Sequence, residues 1–118
     1  MYSYDRTAAA KQADSDPSVI GVLTGFMRAV KLDLYTKLGQ GYRLMGGGWG
    51  ANGEYFFIEG QTPAHDAFTV ELRINEDNGV DCSVANITGE IFKRDFDSHT
   101  PASGIGKVLG LVIEKNFR

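Results

Sequence analysis

A chain of 118 residues can close one ordinary core, and a second core drawn from the same length would be too small to fold alone. Its 42% hydrophobic and 23% charged residues are close to globular averages, which argues against a disordered or low-complexity chain. A net charge of −3 with no basic cluster disfavours nucleic acid as the main partner, because phosphate neutralisation supplies most of that affinity.

The longest mostly apolar stretch, Ser18–Val30, is interrupted by Gly21, Thr24, Gly25 and Arg28 and is too short to span a bilayer, so no membrane partner is expected. Cys82 is the only cysteine, so no internal disulfide can form. No basic start followed by an apolar run marks a secretory signal. A cytoplasmic location is the expectation, and the sequon Asn86-Ile87-Thr88 then carries no glycan.

Residues 1–15 have little apolar content and read as a peripheral arm on a single domain over 16–118. Asp16-Pro17 has the chemistry of a helix start: a carboxylate to accept free N–H groups and a ring preset for the first turn. Ile20, Leu23, Met27, Val30 and Leu34 recur three and four apart, with Val19, Val22 and Phe26 widening the stripe. That spacing predicts a deeply covered helix to Leu38, with Gly39 as a left-handed cap. Residues 30–38 also alternate at period two, so a strand competes there. Strands are expected at Tyr42–Met45, Glu54–Glu59, Ala67–Asn75, Val80–Val84 and Glu90–Phe96. Asn78-Gly79 is a strong hairpin signal between the third and fourth of these, and the broken parity at Ala85 and Ile87 suggests a bulge. Thr100-Pro101 opens a second helix whose apolar face is Ile105, Val108, Leu109, Val112 and Ile113, with Phe117 at its end.

The order implies an α+β fold: an antiparallel meander of four to five strands flanked by an N-terminal and a C-terminal helix packed on one face. Gly21 and Gly25 in the first helix, and Gly106 and Gly110 in the second, are spaced four apart. A glycine inside a helix costs about 1 kcal/mol, so these predict close backbone approach at a crossing or against the sheet.

Gly46–Gly53 is the most unusual segment and reads as a hairpin loop. Its Gly48-x-Gly50-x-x-Gly53 spacing resembles a phosphate-binding fingerprint only superficially, because a strand rather than a helix follows. Trp49, the only tryptophan, lies among residues with almost no side chain, so it either stands exposed as an interface anchor or folds back over the core. Asp95, Asp97 and His99 would share one strand face, and His65 and Asp66 could complete a metal or acid–base site. Acidic residues before a helix are favoured by its dipole alone, however, and no zinc or metalloprotease spacing occurs. Glu76, Asp77 and Asp81 lack the ligand spacing of a calcium loop, and Cys82 reads as a small buried apolar residue.

These residues favour a non-enzymatic protein-binding module with no cofactor, in which Trp49, Tyr42, Arg43 and Tyr55 meet another protein. A homodimer is plausible because a sheet edge can pair. Two other classes compete: a small enzyme or ligand-binding domain with a pocket between sheet and helices, using His65, Asp97 or His99, and a single-strand nucleic-acid binder stacking bases on Tyr42, Trp49 and Tyr55 beside Arg43.

Overall fold

Pro17 opens the first helix, α1 (Pro17–Lys37), in a computed structural model that describes residues 17–50, 55–75, 77 and 79–116. The expected N-terminal arm and Phe117 lie outside the described residues. The period-two alternation over residues 30–38 does not produce a strand; Phe26, Met27, Val30 and Leu34 are all fully buried along one helical stripe. Over residues 25–38 coverage is one-sided rather than deep, since Leu32 and Tyr35 stand 63% and 55% exposed on the opposite face. The cap also differs from the expectation. The left-handed residue is Gly41 (φ 93°), two positions beyond Gly39, and α1 ends through a hydrogen bond from Leu38 N to the Leu34 carbonyl.

Five strands follow as an antiparallel meander in the order β1 (Arg43–Gly50), β2 (Tyr55–Gln61), β3 (Ala67–Ile74), β4 (Val80–Asn86) and β5 (Gly89–Phe96). Alternation decides which face is covered. Phe56, Ile58, Phe68, Val70, Leu72, Val80, Cys82 and Val84 are buried, and the strand residues that alternate with them, Phe57, Thr69, Glu71, Asp81 and Ser83, are not. Each large side chain so buried contributes on the order of 1.5–3 kcal/mol. The expected irregularity near Ala85 is present as a register shift between Val84 and Ala85, across from Ile91. At the β3–β4 turn the Asn75 side chain accepts hydrogen bonds from Asp77 N and Gly79 N, each at 2.9 Å, so the turn is held by its first residue as much as by its glycine.

The loop expected over Gly46–Gly53 is instead strand as far as Gly50, and its residues 51–53 lie outside the described residues. Gly46 to Gly50 pair with Glu59 to Tyr55 without a break. The aromatic-rich β2 supplies the packing that β1 lacks, and pairing with β2 draws the glycines into the sheet. Gly47 (φ 156°) cannot carry a side chain there, because its Cβ would run into the Phe57 carbonyl.

The second helix, α2 (Ala102–Asn116), lies beside α1 over the buried sheet face. A Cβ on Gly106 would sit 2.7 Å from the Val30 carbonyl, and one on Gly110 would sit 2.6 Å from the Lys37 side chain. Later residues of α2 therefore meet later residues of α1, and the two helices run parallel. Five intervening strands require this, because each connection reverses the chain. The close-approach expectation holds for α2. In α1 the contact uses Val30, Asp33, Leu34 and Lys37, while Gly25 is exposed.

Candidate functional site

The face of the sheet away from the helices carries three rows of side chains, set by the register. One row runs Gly50, Tyr55, Arg73, Asp81, Asp95; the next runs Gly48, Phe57, Glu71, Ser83, Lys93; the third runs Gly46, Glu59, Thr69, Ala85, Glu90. The Arg73 guanidinium lies 5.5 Å from the centre of the Tyr55 ring, which places the two on one face.

β1 contributes only glycine to these rows. Beside that bare strand, Tyr55 and Phe57 stand half-buried with ring centres 6.3 Å apart. The Tyr55 ring leans over Gly50, where a Cβ would come within 2.5 Å of it. Around the Cβ positions of Gly46 and Gly48 nothing lies within 4 Å. The result is a shallow trough, open toward the sheet edge, floored by the backbone of β1 and bounded on its inner side by the two aromatic rings of β2.

The rest of the face is charged. Glu59, Glu71, Asp81, Glu90 and Asp95 outnumber Arg43, Arg73 and Lys93. Arg73 bonds Glu71 at 3.1 Å, but both side chains are more than a third exposed, so this pair adds little stability. A shallow depression of about 240 Å³ lies mainly between Glu71, Arg73, Ser83, Glu90 and Lys93. Asp81 and Asp95 face each other across β4 and β5 and hydrogen-bond, which with their mutual repulsion raises the Asp95 pKa. Asn75 Nδ2 donates to Asp81 Oδ1 at 2.8 Å.

The four residues expected to form one partner surface fall in three places. Trp49 lies on the helix-facing side of β1, half-buried, with its ring edge-on to Phe56 at 5.3 Å. It folds back on the core. Tyr42 also packs against the core, at the opposite end of β1. Arg43 is exposed at the start of β1, and Tyr55 belongs to the open face. The nucleic-acid stacking row of Tyr42, Trp49 and Tyr55 is therefore split across the sheet.

The metal or acid–base candidates divide similarly. His65 (φ 67°) and Asp66 form the β2–β3 turn, where Thr62 Oγ1 accepts from Asp66 N at 3.1 Å and the Thr62 carbonyl accepts from His65 N at 2.9 Å. Asp97 and His99 form the β5–α2 turn at the other end of the sheet. Asp97 Oδ1 accepts from His99 N at 2.9 Å and from the Thr100 hydroxyl at 3.0 Å, and these bonds lower its pKa. Both histidines are exposed, and among the described residues no three His, Cys, Asp or Glu side chains gather as a metal site would require. Burial pushes the Cys82 thiol far above its ordinary range, so it stays protonated and packs as an apolar residue.

Phe57 and Arg73 are the residues that sequence reasoning missed. The signal was present in the alternation of β2, but Tyr55, Phe56 and Phe57 are consecutive aromatics, and nothing local says which of them face water. Among the described residues no helix is long and apolar enough to cross a membrane. Comparison with family models, with curated proteins and with solved structures finds no match.

Proposed function

We propose that this chain is a non-enzymatic protein-binding module whose partner docks on the open face of the sheet, in the trough formed by Gly46, Gly48, Tyr55 and Phe57. The observation that carries this reading is the trough itself. Paired aromatic rings stand beside bare strand backbone on a face that is otherwise charged, and aromatic anchors ringed by polar groups are the usual chemistry of a protein interface. The acidic excess around it favours a basic polypeptide segment bearing an apolar residue for the trough. A reducing, cytoplasmic setting suits the lone buried thiol. The Gly-rich segment keeps the central part it has in the sequence reading, with Tyr55 and Phe57 taking the anchoring role in place of Trp49.

The test is capture from source-cell extract with wild type and with the double variant Tyr55→Ser/Phe57→Ser, each checked for native circular dichroism. One dominant basic protein retained by wild type, and bound at least about ten-fold more weakly by the variant, supports the module. Equal retention by both removes the trough from the interface. Loss of the same protein with Thr69→Glu alone, at the far row of the face, would move the interface away from the aromatic pair.

A further inference from the structure

We infer that the depression over Ser83 binds a small zwitterion of the α-amino acid class, with its ammonium on Glu71 and its carboxylate on Lys93 and the Ser83 hydroxyl. The register builds the site. Ser83 pairs with Glu71 of β3 on one side and with Lys93 of β5 on the other, so a carboxylate, a hydroxyl and an ammonium stand in one row on three neighbouring strands. Serine is the shortest side chain standing there, and it floors a hollow of about 240 Å³ between the longer ones. Glu71 and Ser83 are half-buried, while Lys93 reaches in from the exposed rim. Every residue that lines the hollow is among the described ones.

Charge and size decide the ligand class. A simple anion in the hollow would meet Glu71, Asp81 and Glu90, and a simple cation would meet Arg73 and Lys93. A molecule carrying both signs, set at the spacing of the row, is opposed by neither. The volume falls below the roughly 300–1,000 Å³ of pockets for drug-sized ligands, so the occupant is smaller than a nucleotide. Two strand spacings put the Glu71 and Lys93 backbones about 9.5 Å apart, and side chains stand nearly upright from a sheet. An α-amino acid holds its ammonium and carboxylate about 3 Å apart. With a charge-assisted hydrogen bond of about 2.8 Å at each end, it spans that gap.

The row has the bonding capacity as well. Arg73 Nη2 donates to Glu71 Oε1 at 3.1 Å, which orients the carboxylate and leaves Oε2 to accept from the ligand's ammonium. The Ser83 hydroxyl can donate to the ligand's carboxylate. Because the rim is open to water, the dissociation constant is expected in the millimolar range. The hollow lies on β3, β4 and β5, beyond the trough at β1 and β2, and the inference goes beyond the partner reading and stands without it.

The experiment is an amide-shift titration of the full chain by NMR with L-alanine, at constant ionic strength, to about 50 mM. Saturable shifts are expected at Glu71, Ser83 and Lys93. N-acetyl-L-alanine lacks the ammonium and L-alaninamide lacks the carboxylate, and each should bind at least about ten-fold more weakly. Glu71→Gln and Lys93→Met should weaken L-alanine to a similar degree with the fold retained, since neither side chain belongs to the core. Lys107→Met, an exposed cation on α2, should leave binding unchanged. No saturable shift at the three residues, equal binding of the two blocked compounds, or full affinity in both row variants overturns the proposal. Partner capture through Tyr55 and Phe57 is measured without the amino acid, so the two readings fail separately.

Discussion

Two aspartates in β5 and the turn after it respond to acid in opposite senses. Asp97 is held ionised by the His99 N–H and the Thr100 hydroxyl, so its folded pKa lies below its unfolded value. Its stabilisation is complete above the unfolded pKa and is lost as pH falls through the folded one. Asp97→Ala should therefore lower Tm at neutral pH, and the gap to wild type should close in acid. Asp95 is the reverse. Its pKa is raised by the hydrogen bond to Asp81 and by that residue's charge, so its contribution is favourable below the unfolded pKa and is lost as pH rises through the folded value. Asp95→Asn should raise Tm at neutral pH, where two carboxylates face each other, and lose its advantage in acid. Thermal melts of the two variants across pH 3–7 check both. If Asp95→Asn melts lower than wild type at every pH, the repulsion between Asp81 and Asp95 is not what sets the pKa.

At the scale of elements, the glycines of the two helices do different work. A methyl at Gly106 would meet the Val30 carbonyl, the Asp33 Cβ and the Leu34 amide within 2.8 Å, and a backbone contact of that kind cannot move aside cheaply. Gly106→Ala should destabilise by about 1–3 kcal/mol in urea unfolding. Gly25 is exposed within α1, and Gly25→Ala should stabilise by up to about 1 kcal/mol through helix propensity alone. Equal effects at the two positions would remove the close approach of the helices as their cause. Spacing in the sequence marked both pairs alike, because a pattern four apart says that two residues share a face and not what that face meets. The same limit explains β1. Gly46–Gly50 has no strand propensity of its own, and only the register with β2 makes it a strand. Where side chains alternated strictly, as over Ala67–Ile74 with Phe68, Val70 and Leu72 turned inward, the strand and its buried face were legible from the residues alone.

For the molecule as a whole, the α+β order, the meander and the placement of both helices on one face follow from elements read one at a time. The candidate site does not, because it is a property of parity across strands. Tyr55 and Trp49 lie six residues apart in sequence, yet the registers Gly50↔Tyr55 and Trp49↔Phe56 send them to opposite faces. His65 and His99 are separated by the antiparallel order itself, which puts the β2–β3 turn and the β5–α2 turn at opposite ends. A lone tryptophan among glycines suggests exposure only until a neighbouring ring, here Phe56, supplies the surface it packs on.

The parallel helices have a kinetic consequence. Hairpins of the meander join neighbours in the chain and lose little loop entropy on closing, whereas the contact of Gly106 with Val30 closes about two thirds of the chain at once. During synthesis α2 is the last of these elements to leave the ribosome, so until then, among the described elements, α1 alone covers the apolar side of the finished meander. The interval between completing β5 and docking α2 is therefore when the nascent chain is most prone to aggregate.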